Sequence, residues 1–361
     1  MADNSVLVGM SGGVDSSVTA ALLLEQGYEV TGCTMHLFGS DALGLGQESA
    51  CCGLSDVEDA RRVCWRLGIA HYVLNFKEQF RREVMQDFAD SYLRGETPNP
   101  CIRCNGKLKF GAMLHRAAEL GLDYVATGHY ARIEKDGDRY LLKKAADRKK
   151  DQTYFLYNLT QAHLAHTLMP LGGLTKAGVR QLAERYGFRN AEKRDSQDIC
   201  FVPDGDYGAF IERFTGQPCP PGDFVDRDGN VLGRHRGHIR YTLGQRKGLE
   251  IALGQRAYVT AKDPERNTVT LGGNEELFSS GLKARELNLI ACDRLDTPTR
   301  CTVKIRHSQQ EAPATAVQTG EHTLEVRFDQ PQRAVTAGQA VVLYSGEVVL
   351  GGATIDRAMQ R

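Results

Sequence analysis

The 361-residue chain is too long for one ordinary domain and points to about two or three. Hydrophobic residues at 41% and charged residues at 25% exclude the disordered and fibrous classes and leave a globular protein. Lys and Arg (45) cancel Asp and Glu (45), which excludes a global basic field, so any nucleic-acid surface must be a local patch.

In chain order, residues 5–10 read as a short apolar strand and 16–26 as a helix ending at Gly27. A second strand is expected over 28–37. A helix follows over 55–67, with Ser55, Asp56 and Glu58 at its start, then a third strand over 71–76. A long amphipathic helix should run to about Arg94, followed by a loop at 97–105, a helix ending near Gly121 and a strand at 123–127. This alternation predicts a doubly wound α/β domain with a parallel sheet, which binds ligands beyond the carboxyl ends of its strands. Residues 130–145 read as a hairpin turned at Asp136-Gly137, and 160–168 and 176–186 as helices.

At 217–222, Gln-Pro-Cys-Pro-Pro-Gly reads as a linker, and helical periodicity stops beyond it. Residues 225–231 read as a hairpin and 258–271 as two strands around 263–267. From 282 to 358, β-branched alternation with Gly turns predicts a small β-barrel. The expected division is an α/β unit over 1–215, a small central β-rich unit over 216–280 and a C-terminal barrel over 281–361.

Between the first strand and the first helix lies Gly9-Met10-Ser11-Gly12-Gly13-Val14-Asp15-Ser16-Ser17. Gly12 and Gly13 let the backbone turn and approach an anion, while the helix start supplies N–H groups and a positive dipole end. There is no Gly-Lys-[Ser/Thr] ending, so this is not a Walker A loop, nor is it Gly-x-Gly-x-x-Gly. The simpler alternative is a glycine turn with Asp15 or Ser16 as helix cap. Ser-Gly-Gly-Val-Asp-Ser resembles the PP-loop of the ATP pyrophosphatase superfamily, whose members split ATP between its α and β phosphates. The resemblance implies adenylation of an acceptor oxygen, with Asp15 holding magnesium or orienting the phosphates.

Ten cysteines are too few for a disulfide scaffold, and their spacings do not suit a secreted one. The first ten residues lack a signal-like basic region. The longest apolar run, 18–24, falls short of the roughly 20 residues that a membrane helix needs. A reducing cytoplasm is the expected setting. Cys104 sits in a proline-stiffened loop ahead of a helix, with Arg103, Lys107 and Lys109 nearby, an arrangement expected to favour its thiolate. Cys101 and Cys104 make half a zinc site, but no second pair of that spacing exists, and Cys51-Cys52 could supply at most one ligand. Cys200 lies between apolar neighbours, where a buried thiol is ordinarily a small hydrophobe. Cys33, Cys64, Cys292 and Cys301 read as packing residues.

Several strings occur in one order: the phosphate loop, Thr-Pro-Asn-Pro-x-Ile-x-Cys-Asn (97–105), Ala-Thr-Gly-His-Tyr (126–130) and Lys-Asp-Gln-x-Tyr-Phe-Leu (150–156). Asp-Ser-x-x-Ile-Cys-Phe (195–201) and Tyr-Thr-Leu-Gly-Gln-Arg-Lys-Gly-Leu (241–249) complete the set. Together they resemble the bacterial tRNA-specific 2-thiouridylase family over essentially the whole chain. The resemblance implies that Cys200 receives sulfur as a persulfide, that Cys104 assists its release, and that the two end as a disulfide. It makes Gly9 through Ser16, Met35 and Gly128 the ATP-binding residues. Asn99, Pro100, Cys101, His129, Lys150, Asp151, Gln152, Arg306, His307 and Gln339 become the tRNA contacts. Many members carry Asp at the position of Cys101. The extra thiol here keeps open a second chemistry, an iron–sulfur cluster on Cys101, Cys104 and Cys200.

Gly229 to Leu249 contains no acid but has Arg234, His235, Arg236, His238, Arg240, Arg246 and Lys247, with Tyr241 placed to stack on a base. A second basic run covers 143–150. The expected activity is ATP-dependent 2-thiolation of the tRNA wobble uridine, fed by a cysteine desulfurase or sulfur-relay protein. Its rivals are a PP-loop ligase acting on a small metabolite and a zinc-stapled RNA-binding module.

Overall fold

The computed structural model describes residues 4–39, 54–191, 199–251 and 254–359. Cys51, Cys52 and residues 195–198 of the Asp-Ser-x-x-Ile-Cys-Phe string lie outside them.

The chain begins with β1 (Ser5–Gly9), α1 (Val14–Glu25), β2 (Glu29–His36), α2 (Leu54–Leu67) and β3 (His71–Asn75). A continuous helix α3 then spans 77–93, widened to π-type turns over Arg81–Met85, and α4 spans 100–119 with a similar widening over Cys104–Ala112. After β4 (Tyr124–Ala126) come the hairpin β5 (Ala131–Asp136) and β6 (Arg139–Lys144), then α5 (Gln161–Ala165), β7 (Thr167–Leu168) and α6 (Lys176–Arg185).

Strands β1, β2, β3, β4 and β7 form an all-parallel sheet in the order β3-β2-β1-β4-β7. Alternation along β1 sorts its two faces. Val6 and Val8 pack with α1, α2 and α6, while Leu7 packs with Phe110, Met113 and Ala117 of α4. The chain leaves β1 toward β2 on one side and returns at β4 on the other, so the topological switch lies between β1 and β4. Ligands of such sheets bind at that crevice.

Two expectations are corrected here. Residues 97–105 are not wholly a loop: α4 already begins at Pro100, with the Asn99 side chain accepting from the Cys101 N–H at 3.2 Å. Asn before Pro is an N-cap followed by a first-turn proline, a helix start that also looks like loop stiffening. Residues 160–168 are not one helix, because Thr167–Leu168 leaves α5 to pair with β4 at the sheet edge.

Helix α7 (Tyr207–Thr215), which the composition did not suggest, precedes a four-stranded sheet in the order β10-β11-β8-β9. Its strands are β8 (Gly222–Val225), β9 (Val231–His235), β10 (Tyr258–Asp263) and β11 (Thr268–Gly272). Strands β12 (Phe278–Leu289), β13 (Thr299–Lys304), β14 (Ala312–Gly320), β15 (Thr323–Arg333), β16 (Ala340–Ser345) and β17 (Val348–Met359) close into an antiparallel barrel through the β12–β17 pairing. The β5–β6 hairpin joins the barrel rather than the parallel sheet, with Val348 opposite Lys143. Barrel residues Ile290, Val342, Tyr344 and Val349 share one apolar cluster with Leu7, Phe110 and Tyr154. Among the described residues no helix is long and apolar enough to cross a membrane.

Candidate active site at the sheet switch point

The loop after β1 occupies the switch crevice. Gly12 has φ +71°, and a Cβ there would lie 2.5 Å from the Asp56 carbonyl oxygen, so only glycine fits both the conformation and the space. No side chain caps α1, whose N-cap is Gly13. Its first-turn N–H groups are therefore offered to an anion, with the dipole adding to their pull. The Ser16 and Ser17 hydroxyls both donate to the Gly13 carbonyl, at 3.0 and 2.9 Å, and the Ser11 N–H donates to Ser16 Oγ at 3.2 Å. Met10 and Val14 are buried, so Met10 serves the loop through its backbone: its carbonyl accepts from Thr34 Oγ1 at 2.8 Å. Gly9 packs against the Met113 thioether.

Asp15 is engaged on both oxygens. Lys176 Nζ donates to Oδ1 and Oδ2 at 2.8 Å each, and the Tyr130 hydroxyl donates to Oδ1 at 2.8 Å. This carboxylate fixes the loop to α6 and to the segment after β4. With its oxygens engaged in this way, Asp15 is suited to the second of its two expected roles, orienting the phosphate loop. Gly128 lies against the same point: a Cβ there would come within 2.9 Å of Asp15 C and Ser16 N. Asn190 donates to the Gly12 carbonyl and to Ser17 Oγ at 3.0 Å each, bracing the loop from a third side.

Lys176, Tyr130 and Asn190 were not anticipated from the sequence, since their partners lie more than a hundred residues away. Lys176 carried one faint sign: it opens a helix, where the dipole disfavours a cation unless something pairs with it.

Cys104 and Cys200 line one apolar cluster with Met35, Phe80, Phe88 and Phe201. That cluster includes Leu37 and Phe38, just beyond β2, and Phe76, just beyond β3. Both thiols therefore lie at the same carboxyl edge of the sheet as the glycine loop. Phe201 anchors Cys200, its ring centroid 5.3 Å from Phe88 and 5.0 Å from Phe210. Cys101, Cys104 and Cys200 are present as thiols, and among the described residues no group of three His, Cys, Asp or Glu comes together to hold a metal.

The expectation of a favoured Cys104 thiolate is corrected. Burial pushes the Cys104 thiol up, against the pull of Lys109, because desolvation of a thiolate outweighs the nearby charge. A raised thiol is protonated at pH 7 and yields more thiolate as pH rises. Alkylation of Cys104, followed by mass spectrometry, should therefore climb about tenfold per pH unit from 7 to 9. A rate flat across that range would contradict the buried-thiol assignment.

Of the remaining expected contacts, His307 and Gln339 reach across the seam between the barrel and the α/β unit. His129 hydrogen-bonds Thr127 Oγ1 through Nδ1 at 2.6 Å, and burial, with Lys109, holds it well below its ordinary value and hence neutral at pH 7. Asp151 is buried and accepts from the Ala145 N–H at 2.9 Å and from Thr153 Oγ1 at 2.6 Å. Gln152 accepts from the Tyr130 N–H, and the Lys150 N–H donates to the Asp147 carbonyl. His307 packs its ring 4.4 Å from Phe155, and Arg306 donates to the Arg333 carbonyl at 3.0 Å. Gln339 reaches from the barrel to the Thr97 carbonyl at 2.7 Å, next to Pro98, Asn99 and Pro100.

The acid-free stretch is also corrected. Tyr241 is buried, its ring 5.2 Å from Phe224, and so is not a base-stacking platform. His235 and His238 are buried as well. Arg234 pairs with Asp223, Arg236 with Glu250, and Arg240 with Asp206 and Glu212. In the second run Lys143 pairs with Glu134, Lys144 with Glu311 and Arg148 with Glu347. Acids outside the two segments pair with these side chains, while Arg148, Lys149, Arg234, Arg236, Arg246 and Lys247 all remain exposed.

Residues 4–204 match a family model described as the tRNA methyl transferase HUP domain. Residues 208–273 match a tRNA methyl transferase PRC-barrel domain, and 279–355 an aminomethyltransferase beta-barrel domain. The tRNA-specific 2-thiouridylase MnmA of Acetivibrio thermocellus is 54% identical over 99% of this chain and 100% of its own length. Those of Clostridioides difficile (50%, covering 99% of both chains) and Symbiobacterium thermophilum (52%, covering 98% of this chain and 92% of its own) are similar throughout. A solved 4-thiouridine synthetase–RNA complex with bound ATP shows a slighter likeness, with a TM-score of 0.37 and 18% identity over 59% of this chain and 50% of its own.

Proposed function

Because the chain belongs to the tRNA-specific 2-thiouridylase family, we propose that it replaces the C2 oxygen of a tRNA wobble uridine with sulfur, using ATP to activate that oxygen. The observation that carries the reading is the placement of Cys104 and Cys200 at the same sheet edge as an uncapped, glycine-turned helix start. Methyl transfer, the label in two of the family descriptions, would need neither feature.

ATP binds with its phosphates at the start of α1. The base leaves its stack to reach the crevice, as chemistry on a base requires. Uridine O2 attacks the α-phosphorus and pyrophosphate departs, which turns the oxygen into part of an AMP leaving group. The terminal sulfur of a Cys200 persulfide attacks C2, and the C2–O bond to AMP breaks. Cys104 then attacks the Cys200 sulfur, releasing 2-thiouridine and leaving a Cys104–Cys200 disulfide that an external dithiol reduces by two electrons. Asp15, held by Lys176 and Tyr130, orients the phosphate loop.

The tRNA lies against Asn99, Pro100, Cys101, His129, residues 150–152, Arg306, His307 and Gln339. In this division, 1–215 performs the chemistry while 216–280 and 281–361 hold the tRNA. A cysteine desulfurase or relay protein loads Cys200, in a cytoplasm reducing enough to recycle the thiols.

The persulfide route and the iron–sulfur route part at Cys101, which is exposed and does not assemble with Cys104 and Cys200 as a ligand set. Cys101→Ser is expected to keep most of its thiolation activity in an assay of 2-thiouridine in digested tRNA. Severe loss, with iron and acid-labile sulfide in anaerobically purified protein, would support the cluster instead. Release of pyrophosphate from ATP should depend on tRNA. Stimulation by small carboxylates without tRNA would point to the metabolite ligase.

A further inference from the structure

Arg103 directly precedes Cys104 in α4, and its guanidinium faces two acids at once. Nη2 donates to both Glu286 carboxylate oxygens, at 3.1 and 3.3 Å, and Nε donates to Asp87 Oδ2 of α3 at 3.3 Å. Glu286 belongs to the barrel, 183 residues away in sequence, and a cleft of about 230 Å³ lined by Asp87, Asn99, Arg103, Tyr157, Arg285 and Glu286 separates the two units there.

The backbone at Glu286 is unusual. Its φ is +56°, in the left-handed region that favours glycine, at a register shift of β12 against β17 between Arg285 and Asn288. The kink lets neighbouring side chains serve both sides of the cleft. Glu286 accepts from Thr354 Oγ1 at 2.8 Å, while Arg285 donates to Glu96 at 2.8 Å and to Asp356 at 3.3 Å. Burial raises the Glu286 carboxyl, but Arg103 and the Thr354 hydroxyl outweigh it and hold it below its ordinary value, so it is ionised at neutral pH.

Stability does not account for this arrangement. The Arg103 and Glu286 side chains are 34% and 47% exposed, and pairs so exposed contribute little. A strained non-glycine residue supporting so weak a pair is better explained by a task at a functional site.

We propose that Glu286 and Arg103 are positioning residues through which the barrel sets the placement of Cys104. The proposal rests on the reading of Cys104 as the thiol that releases sulfur. The Thr354 hydroxyl and the kink in β12 fix Glu286, Glu286 fixes the Arg103 guanidinium, and Arg103 orients the turn of α4 that presents the Cys104 sulfur. Misplacement of a reacting group by about 1 Å costs on the order of a hundredfold in rate.

The experiment measures 2-thiouridine formation against tRNA concentration at saturating ATP for Glu286→Gln, Glu286→Gly and Cys104→Ser, with a thermal melt of each. Both Glu286 variants should lose kcat by about tenfold or more while KM for tRNA changes by less than about twofold. Glu286→Gly should melt within about 3 °C of the parent, because relief of the left-handed backbone offsets the lost pair. Parental kcat in Glu286→Gln, or a loss confined to KM, overturns the proposal if Cys104→Ser is inactive. An active Cys104→Ser overturns the underlying reading of Cys104 instead.

Discussion

Cys200→Ser and Cys104→Ser are each expected to abolish 2-thiouridine formation while still binding ATP. The two residues fail for different reasons. Serine at 200 cannot carry a sulfane sulfur, so no nucleophile reaches C2. Serine at 104 leaves the persulfide in place but supplies no thiol to break the S–S bond, so sulfur attached to the base would remain linked to Cys200. Because the thiols line an apolar cluster packed by Phe80, Phe88 and Phe201, serine there places a hydroxyl among apolar groups and is expected to cost about 1–3 kcal/mol of stability. Equilibrium binding of ATP and a melting curve separate a chemical failure from an unfolded protein. Substantial residual thiolation in either variant would reject the two-thiol mechanism.

Gly128→Ala should have the other large effect, on nucleotide binding. The added methyl would sit 2.8 Å from Asp15 Cβ and 2.9 Å from Asp15 C and Ser16 N. Two of these are backbone atoms in the first turn of α1, which cannot swing aside as a side-chain tip does. To accept the methyl, the loop must move away from the segment after β4, disturbing the Asp15 contacts with Lys176 and Tyr130. We expect ATP affinity to fall by at least about tenfold, the loss that accompanies roughly 1.4 kcal/mol. Binding of tRNA alone should be much less affected. Unchanged ATP affinity would mean that the loop does not hold the nucleotide in this geometry.

The residues differ in how much of this was legible from local pattern. A turn chemistry that only Gly12 satisfies, a β-branched alternation over 282–358 and ordered cysteine strings are short-range signals, and the switch-point loop and the barrel follow from them. Asn99-Pro100 was also a short-range signal, but one shared by helix starts and stiff loops, and the helix prevailed because the Asn99 cap satisfies the Cys101 N–H. Three features lay beyond local reading. Lys176 meets Asp15 across 161 residues, the β5–β6 hairpin pairs with β17, and Asp206 and Glu212 neutralise Arg240 from another element. Charge read along a chain overstates a basic surface whenever folding brings acids to it. Tyr241 failed for a related reason: an aromatic among cations reads as a stacking platform until Phe224 and His235 bury it.

The most direct measurement follows labelled sulfur. The protein is loaded with isotopically labelled persulfide, the label is located by peptide mass spectrometry, and ATP and unmodified tRNA are then added in a single turnover. The account predicts that the label starts on the Cys200 peptide and leaves only when both ATP and tRNA are present. It should appear as 2-thiouridine with one AMP and one pyrophosphate per base, and leave Cys104 and Cys200 joined as a disulfide. Formation of 2-thiouridine without passage of label through Cys200, or with ADP and phosphate as the nucleotide products, would contradict it.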